Sequence, residues 1–433
     1  MFVTGRLAIL VALSAAAALL MPERALVAVG VVDLIILGAG AFDVAAASSP
    51  RSLPTQRRHP PVAAVDGEVE VRLVLRNPAR RPVRVAVRDA VAPSLRPDPR
   101  RPSIVLMPGL GEIAYRLRPD RRGLFTLGPV TVRTWGPLGL AGRQGTTDLR
   151  TTLKVYPNLR GRQQVEGRLR RSRLLEAGTR SARIRGGGLE FEALREYHPD
   201  DEFRRINWVA TARAGKPISN VYREERHQQV LMLLDAGRTM AGTIGGAPRF
   251  EHALDAAVAL ATLAVEIGDR VGTFVFDRGP RASVPPRADR AQPGRIVDAL
   301  FRVEPAVVSS DLLGSVSGVL ARHRRRALLV LFTDLADEGS AEPLLRAVPV
   351  LARHHVVLVA QVTDPEVVRL SRLDPASAHQ AFVKASAAAT ENRREQVAAA
   401  LSRAGVQVVD RPPGELALAL ADAYLRIKAY GRL

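Results

Sequence analysis

Cysteine is absent from all 433 residues. Disulfides, thiolate metal sites and cysteine nucleophiles are excluded with it, and the composition fits a reducing compartment. Aromatic residues make up only 4% of the chain, too few to stack successive bases along a nucleic-acid strand. A glycine-rich phosphate loop ending in Gly-Lys-Ser/Thr is also missing, so ATP hydrolysis of that type has to come from a partner. Acidic residues are scarce in the first part of the chain. Residues 1–185 hold 31 Lys and Arg against 13 Asp and Glu, while the remainder holds 32 against 30. The formal net charge of +20 is therefore an N-terminal property. The chain is also too long for one hydrophobic core, and more than one domain is expected.

What is present begins with two apolar blocks, Leu7 to Met21 and Ala25 to Phe42, separated by Pro22-Glu23-Arg24. Each approaches the length that crosses a hydrocarbon core. A cleaved signal peptide, with small residues at Ala45-Ala46-Ala47, is the rival reading. The second block follows the first directly, which favours a transmembrane hairpin over residues 1–44. Arg6 precedes the hairpin, and Arg51, Arg57 and Arg58 follow it, so the positive-inside rule places both ends and the soluble body in the cytoplasm, at the plasma membrane. Asp33 inside the second block marks either a helix contact or a segment that reaches interfacial water.

Residues 54–158 alternate with period two at Glu68–Asn77, Pro82–Ala90, Ile113–Pro119 and Phe125–Thr134, separated by Pro/Gly turns. This pattern predicts an antiparallel β-sandwich whose outward arginines are solvated or lie against anionic headgroups. Residues 159–185 form a basic connector, with nine Arg against two Glu, and are read as a linker although a short helix is the alternative. After 186–228, a polar segment, residues 229–433 alternate apolar strands with amphipathic helices. That predicts an α/β doubly wound parallel sheet, whose ligands sit beyond the carboxyl ends of the strands.

Two of those strands end in aspartate, Asp235 and Asp334. With Gly237, Thr239, and Ser310 or Ser309, they offer hard oxygen ligands suited to Mg²⁺ or Mn²⁺. The alternative is that both aspartates cap the helices that follow. In the polar segment, Phe191, Leu194 and Tyr197 are spaced to share one helical face. Asp200, Asp201, Arg204, Arg205, Asn207 and Trp208 crowd together behind them, as a structural charge network would. A catalytic reading makes Asp200 or Asp201 a general acid or base, but no partnered nucleophile supports it, and His198 reads as a turn residue.

At these residues the chain resembles the domain-of-unknown-function 58 family of bacterial membrane-anchored proteins with a von Willebrand A-like domain. The family signature is carried by Gly188, Glu190, Phe191, Leu194, Arg195, Tyr197, Pro199, Asp201, Arg204, Ile206, Trp208, Ala212 and Arg213. Asp200 and Glu202 depart from it, as does Gly237 from the adhesion-type metal loop, where the family of von Willebrand A sites carries a serine. Arg121–Arg143 also resembles the family's strand-rich region. The resemblance implies a von Willebrand A-like domain and association with a MoxR-type AAA+ ATPase and related von Willebrand A proteins, in an adaptor or scaffold role. It implies no catalytic residue. A metal-dependent hydrolase built on Asp235 and Asp334, drawing a further acid from Asp269, Asp277 or Asp337, is the second expectation. A nucleic-acid binder driven by the basic half is the third, and the membrane hairpin argues against it.

Overall fold

The computed structural model describes residues 1–18, 25–176, 190–198, 206–223, 228–323, 325–335 and 338–429, and divides into two units, Met1–Asn158 and Leu159–Leu433. In the first, a short strand β1 (Phe2–Val3) precedes the apolar helices α1 (Gly5–Ala18) and α2 (Ala25–Ala46). Ten further strands follow where apolar and charged residues alternate: β2 (Thr55–Arg58), β3 (Val62–Ala64), β4 (Val69–Asn77), β5 (Val83–Asp89), β6 (Ser103–Leu106), β7 (Gly109–Leu117), β8 (Gly123–Leu127), β9 (Val130–Trp135), β10 (Ala141–Thr147) and β11 (Thr151–Tyr156). In β4 the alternation places Val69, Val71, Leu73 and Leu75 inward and Glu70, Arg72 and Arg76 outward.

These strands form three sheets, ordered β1-β10-β9-β5-β6, β2-β4-β7 and β3-β11-β8. The pairings are antiparallel except β3 with β11, which is parallel. One core, from Leu73 and Leu117 to Val132 and Val155, draws on all three. The segment Phe125–Thr134, expected as one strand, is two strands in different sheets. Pro129 cannot donate to a ladder, and the chain turns at Gly128, whose N–H meets the Ala90 carbonyl at 2.7 Å.

Arg57 ties the sheets together. Its side chain is 1% exposed and forms a two-pronged ion pair with Asp89 of β5, while also donating to the Gly128 carbonyl at 2.6 Å and to Thr151 of β11 at 3.1 Å. Tyr115 of β7 donates to the same carboxylate. Arg57 is therefore a structural cation of the β-rich unit.

Among the described residues, one helix is long and apolar enough to cross a membrane, in a stretch of mean hydropathy 2.0. It overlaps α2, which has 22 residues, while the described part of α1 has 14. Within the described residues α1 packs beside α2. Ser14 of α1 donates to Asp33 of α2, which makes Asp33 a helix contact. The end of α2 is fastened to the β-rich unit by Asp43, which is fully buried. Its carboxylate accepts from the backbone N–H groups of Leu138, Leu140 and Ala141 at 2.7, 2.7 and 2.9 Å. Gly136 lies against this carboxylate so closely that a Cβ there would overlap it.

In the second unit the basic connector begins as a helix, α3 (Arg160–Glu176), rather than a solvated linker. Gly161 and Val165, four residues apart, are buried on one face. The Gly161 N–H reaches both oxygens of Asp255 at 3.0 and 2.9 Å, and a Cβ at 161 would sit 2.6 Å from that of Ala417. Burial raises the Asp255 pKa, and the N–H groups of Gly161 and Arg162 partly counter it.

Strand β12 (Glu190–Glu196), helix α4 (Trp208–Ala214) and strand β13 (Ile218–Arg223) come next, with β12 and β13 paired antiparallel. The α/β part then runs β14 (Gln229–Asp235), α5 (Arg238–Ala241), the two-residue strands β15 (Thr243–Ile244) and β16 (Ala247–Pro248), α6 (Arg249–Ile267), β17 (Arg270–Phe276), β18 (Pro280–Arg287), α7 (Gln292–Leu300), α8 (Leu312–Arg322), β19 (Ala327–Phe332), α9 (Glu338–His354), β20 (Val356–Val362), α10 (Pro365–Ser371), α11 (Ala378–Arg403), β21 (Gln407–Arg411) and α12 (Leu416–Ala429).

The sheet order is β18-β17-β14-β19-β20-β21, parallel throughout except β18. Counted as strands of the sheet this is 3-2-1-4-5-6, the doubly wound order, with its switch point between β14 and β19. Both of those strands are buried on both faces, as their uninterrupted apolar runs require. Helices α6 and α12 cover one face; α8, α9 and α11 cover the other.

The Asp43 attachment makes a stability prediction. Asp43→Ala removes the acceptor of three N–H groups, one of them fully buried, and is expected to cost about 1–3 kcal/mol. Gly136→Ala is expected to cost about 1–3 kcal/mol through overpacking. Both are read as reduced stability of the β-rich unit in denaturant titrations of the full chain in detergent.

Candidate functional site at the strand ends

The switch point brings together most of the residues singled out in the sequence. Asp235, the last residue of β14, is buried. One of its carboxylate oxygens accepts from the Gly237 N–H at 2.8 Å and from the Ser310 hydroxyl, and the other accepts from Thr333 at 2.8 Å. The hydroxyl that reaches Asp235 across the sheet is thus that of Thr333, at the end of β19. Thr239 is half-buried in α5, and Ser309 is exposed. Gly237 leaves room for Ser310: a Cβ at 237 would run into the Ser310 hydroxyl and come within 2.8 Å of the Val308 carbonyl. Glycine here is a packing requirement, and Ser310 fills the space that a serine at 237 would have used.

Asp334, next along the chain from Thr333, is also buried but has other partners. Arg394 of α11 donates to it at 2.7 Å, and Arg249 at the start of α6 lies 3.2 Å from its second oxygen. The same Arg394 makes a two-pronged pair with Asp410 of β21, at 2.9 and 3.2 Å, and Thr363 donates to Asp410 from the end of β20. Burial works against the charge of Arg394, and the two carboxylates outweigh it, so its pKa is raised further. One guanidinium thereby joins the ends of β19 and β21 to the helix that covers them.

A divalent cation of the adhesion type does not fit this set of donors. It needs acidic oxygens left open toward it, and the charge of Asp334 is already balanced by two arginines. Asp235 remains with two neutral hydroxyls, a thin complement for Mg²⁺ or Mn²⁺. Among the described residues, no three acids or histidines are placed to hold a metal ion. Asp235 folds back on its own loop and gives α5 no side-chain cap.

The additional acids do not join the cluster. Asp269 precedes β17 and so lies at the opposite edge of the sheet, where Tyr424 and Lys428 bind it. Asp277 does follow β17 at the strand-end edge but is paired with Arg281. Burial alone would raise its pKa, and the Arg281 hydrogen bond wins and lowers it. Asp337 lies outside the described residues.

The polar segment departs from its expected helix. Glu190, Phe191, Leu194, Arg195 and Glu196 lie in β12, with Tyr197 just after it, so the shared helical face does not form. The pairing with β13, twenty-odd residues later, overrides the local spacing. The Tyr197 N–H reaches the Pro217 carbonyl at 2.9 Å, and the Asn207 N–H reaches that of Ile218 at 2.8 Å. Asn207 caps α4 by accepting from the Ala210 N–H at 3.0 Å, and Arg213 sits in the last turn of that helix. Trp208 and Val209 are exposed on α4, at 60% and 65%. Pro199, Asp200, Asp201, Arg204 and Arg205 lie outside the described residues, and His198 is exposed beyond β12.

Arg249, Arg394 and Asp410 were not among the sequence candidates. Asp410 could have been found, since QVVD is a third strand running into aspartate. Arg394 gives no such signal within the polar run ENRREQ.

An apolar helix attached to a β-rich unit, followed by a doubly wound sheet with a polar switch point, defines a mixed α/β multidomain protein. Residues 193–406 match the family described as protein of unknown function DUF58. Uncharacterized proteins of Mycobacterium bovis and Mycobacterium tuberculosis are 27% identical over 189 residues, 43% of this chain and 59% of theirs. The chain therefore matches less than two thirds of the length of those curated relatives. Among solved structures, the conserved hypothetical protein BatB from Bacteroides thetaiotaomicron aligns over 46% of this chain and 98% of its own, at 15% identity and a TM-score of 0.31. An uncharacterized membrane spanning protein from Vibrio fischeri aligns over 47% and 98%, at 16% identity and a TM-score of 0.17. At those scores neither likeness carries an assignment.

Two substitutions test the cluster. Arg394→Met leaves Asp334 and Asp410 without their cation and is expected to destabilise the second unit by about 3–5 kcal/mol, with part recovered when Asp334→Asn and Asp410→Asn are added. Gly237→Ser is expected to cost about 1–3 kcal/mol by overpacking, and Ser310→Gly in the same chain should restore much of it. Denaturant unfolding reads both, and a neutral Gly237→Ser would show that Ser310 does not hold that space.

Proposed function

We propose that the protein is a membrane-anchored adaptor or scaffold whose α/β domain, of von Willebrand A-like type, binds a protein partner. The observation that carries this reading is the closed state of the strand-end cluster. Asp235, Asp334 and Asp410 are each held by hydroxyls, arginines or both. A nucleophile or general base needs unspent capacity, and these groups spend theirs on one another. The cluster then acts as a brace that keeps the strand-end face rigid, and partner binding falls to the surface around it. Trp208 and Val209, exposed on α4, offer an apolar surface of the kind enriched at interfaces.

Helix α2 supplies the anchor, and Arg6, Arg51 and Arg58 at its end of the helical pair favour a cytoplasmic face. The family resemblance names the partner class, a MoxR-type AAA+ ATPase acting with related von Willebrand A proteins. The metal-dependent hydrolase has no observation in its favour. Because the donor set does not suit a divalent ion, the association is expected to persist when Mg²⁺ is chelated.

Co-purification from detergent extracts tests this reading. The full-length chain is expected to retain a MoxR-type ATPase with and without EDTA, and Trp208→Ala with Val209→Ser is expected to reduce retention at least tenfold. Failure of the ATPase to co-elute under any nucleotide condition would sink the proposed partnership.

A further inference from the structure

The β-rich unit contains a cleft of about 280 Å³ where the two apolar helices meet it, lined by side chains of one charge sign. Arg6 stands in the first turn of α1, and Ala46 is the last residue of α2, so the cleft lies at the level where the apolar stretch ends. Three arginines line it: Arg6, Arg81 and Arg84. All three are exposed, and among the described residues none forms an ion pair with a carboxylate. Arg81 donates to the Ala46 carbonyl, the end of α2. The Arg84 guanidinium lies over the Trp135 ring, 5.1 Å from its centroid. Asp43, on the inner side of the same turn, directs its charge to three backbone N–H groups. Val105 and Leu138, also lining the cleft, are 58% and 50% exposed. The cleft thus sets three arginines beside open apolar side chains. An anionic head with an apolar tail satisfies both halves, and tryptophan is at home at that depth.

We propose that this cleft binds the phosphate of an anionic phospholipid headgroup, with Arg6, Arg81 and Arg84 as its ligands and Trp135 as the wall. Arginine forks match phosphate oxygens in pairs. The cleft thereby sets how the β-rich unit meets the lipid surface, and its preference is for acidic over zwitterionic lipid. The inference rests on α2 lying in a membrane, which alkaline extraction of cell membranes tests separately. Release of the chain by carbonate removes the anchoring reading whatever the cleft binds.

The cleft itself is tested with full-length protein in detergent carrying Trp208→Phe, which leaves Trp135 as the only tryptophan. Dioctanoyl-phosphatidylglycerol is expected to change Trp135 fluorescence saturably, and dioctanoyl-phosphatidylcholine to bind at least tenfold more weakly. Arg81→Gln with Arg84→Gln is expected to weaken the phosphatidylglycerol response at least tenfold while carbonate resistance is kept. Both arginines are exposed, and an unchanged unfolding midpoint confirms that the variant is folded. Equal responses to the two lipids would overturn the proposal, as would an unaffected double variant. Saturation by inorganic phosphate at the same concentrations would make this a free-phosphate site and overturn the lipid assignment.

Discussion

Arg394 is the constraint on which the strand-end face depends. Placing a guanidinium among buried groups is costly unless its charge is met, and one partner would leave part of its fork unused. Two carboxylates from different strands meet it, so the helix that carries it can dock in only one register against the sheet. Asp334 gains a second arginine from α6, on the other face of the sheet. The two helical layers are in this way tied to the same strand end. Arg57 does the same in the β-rich unit, where one cation and Asp89 bring together strands from separate sheets. Each unit thus has a specifying ion pair at the place where its layers could otherwise slide.

This arrangement changes the meaning of the aspartates at the strand ends. In a metal site the cation is external and the acids wait for it; here the cation is part of the chain. The charges of Asp334 and Asp410 are met by arginines of the chain itself. A rigid face suits recognition of another protein, because little ordering entropy is lost when the partner arrives.

How much of this was legible in the sequence depends on whether local pattern or distant pairing decides. The runs at 230–234, 327–332 and 356–362 become β14, β19 and β20 because strands buried on both faces have to be apolar throughout. The alternating segments around Val71 and Val85 become strands for the corresponding reason on a half-buried sheet. Phe191 and Leu194 carry a three-residue spacing that fits a helix equally well, and only the pairing with β13 settles the matter. Residues 125–134 read as one strand because both halves alternate, while Pro129 sends them to different sheets. In the cluster, Asp235 and Asp334 were visible by position, but the arginine that neutralises Asp334 lies 60 residues further on. A single arginine in a polar helix carries no mark of its partner.

Asp43 has a consequence for the order in which the protein is made. Its carboxylate sits at the end of α2, yet the first of the N–H groups that satisfy it belongs to Leu138, 95 residues later. At about 5–20 residues per second, synthesis leaves that charge unmatched for roughly 5–20 s. On the proposed reading, α2 reaches the bilayer before its fastening exists, and Asp43 has to wait in interfacial water for the turn after β9. Only when that turn closes over it is the end of α2 fastened to the β-rich unit.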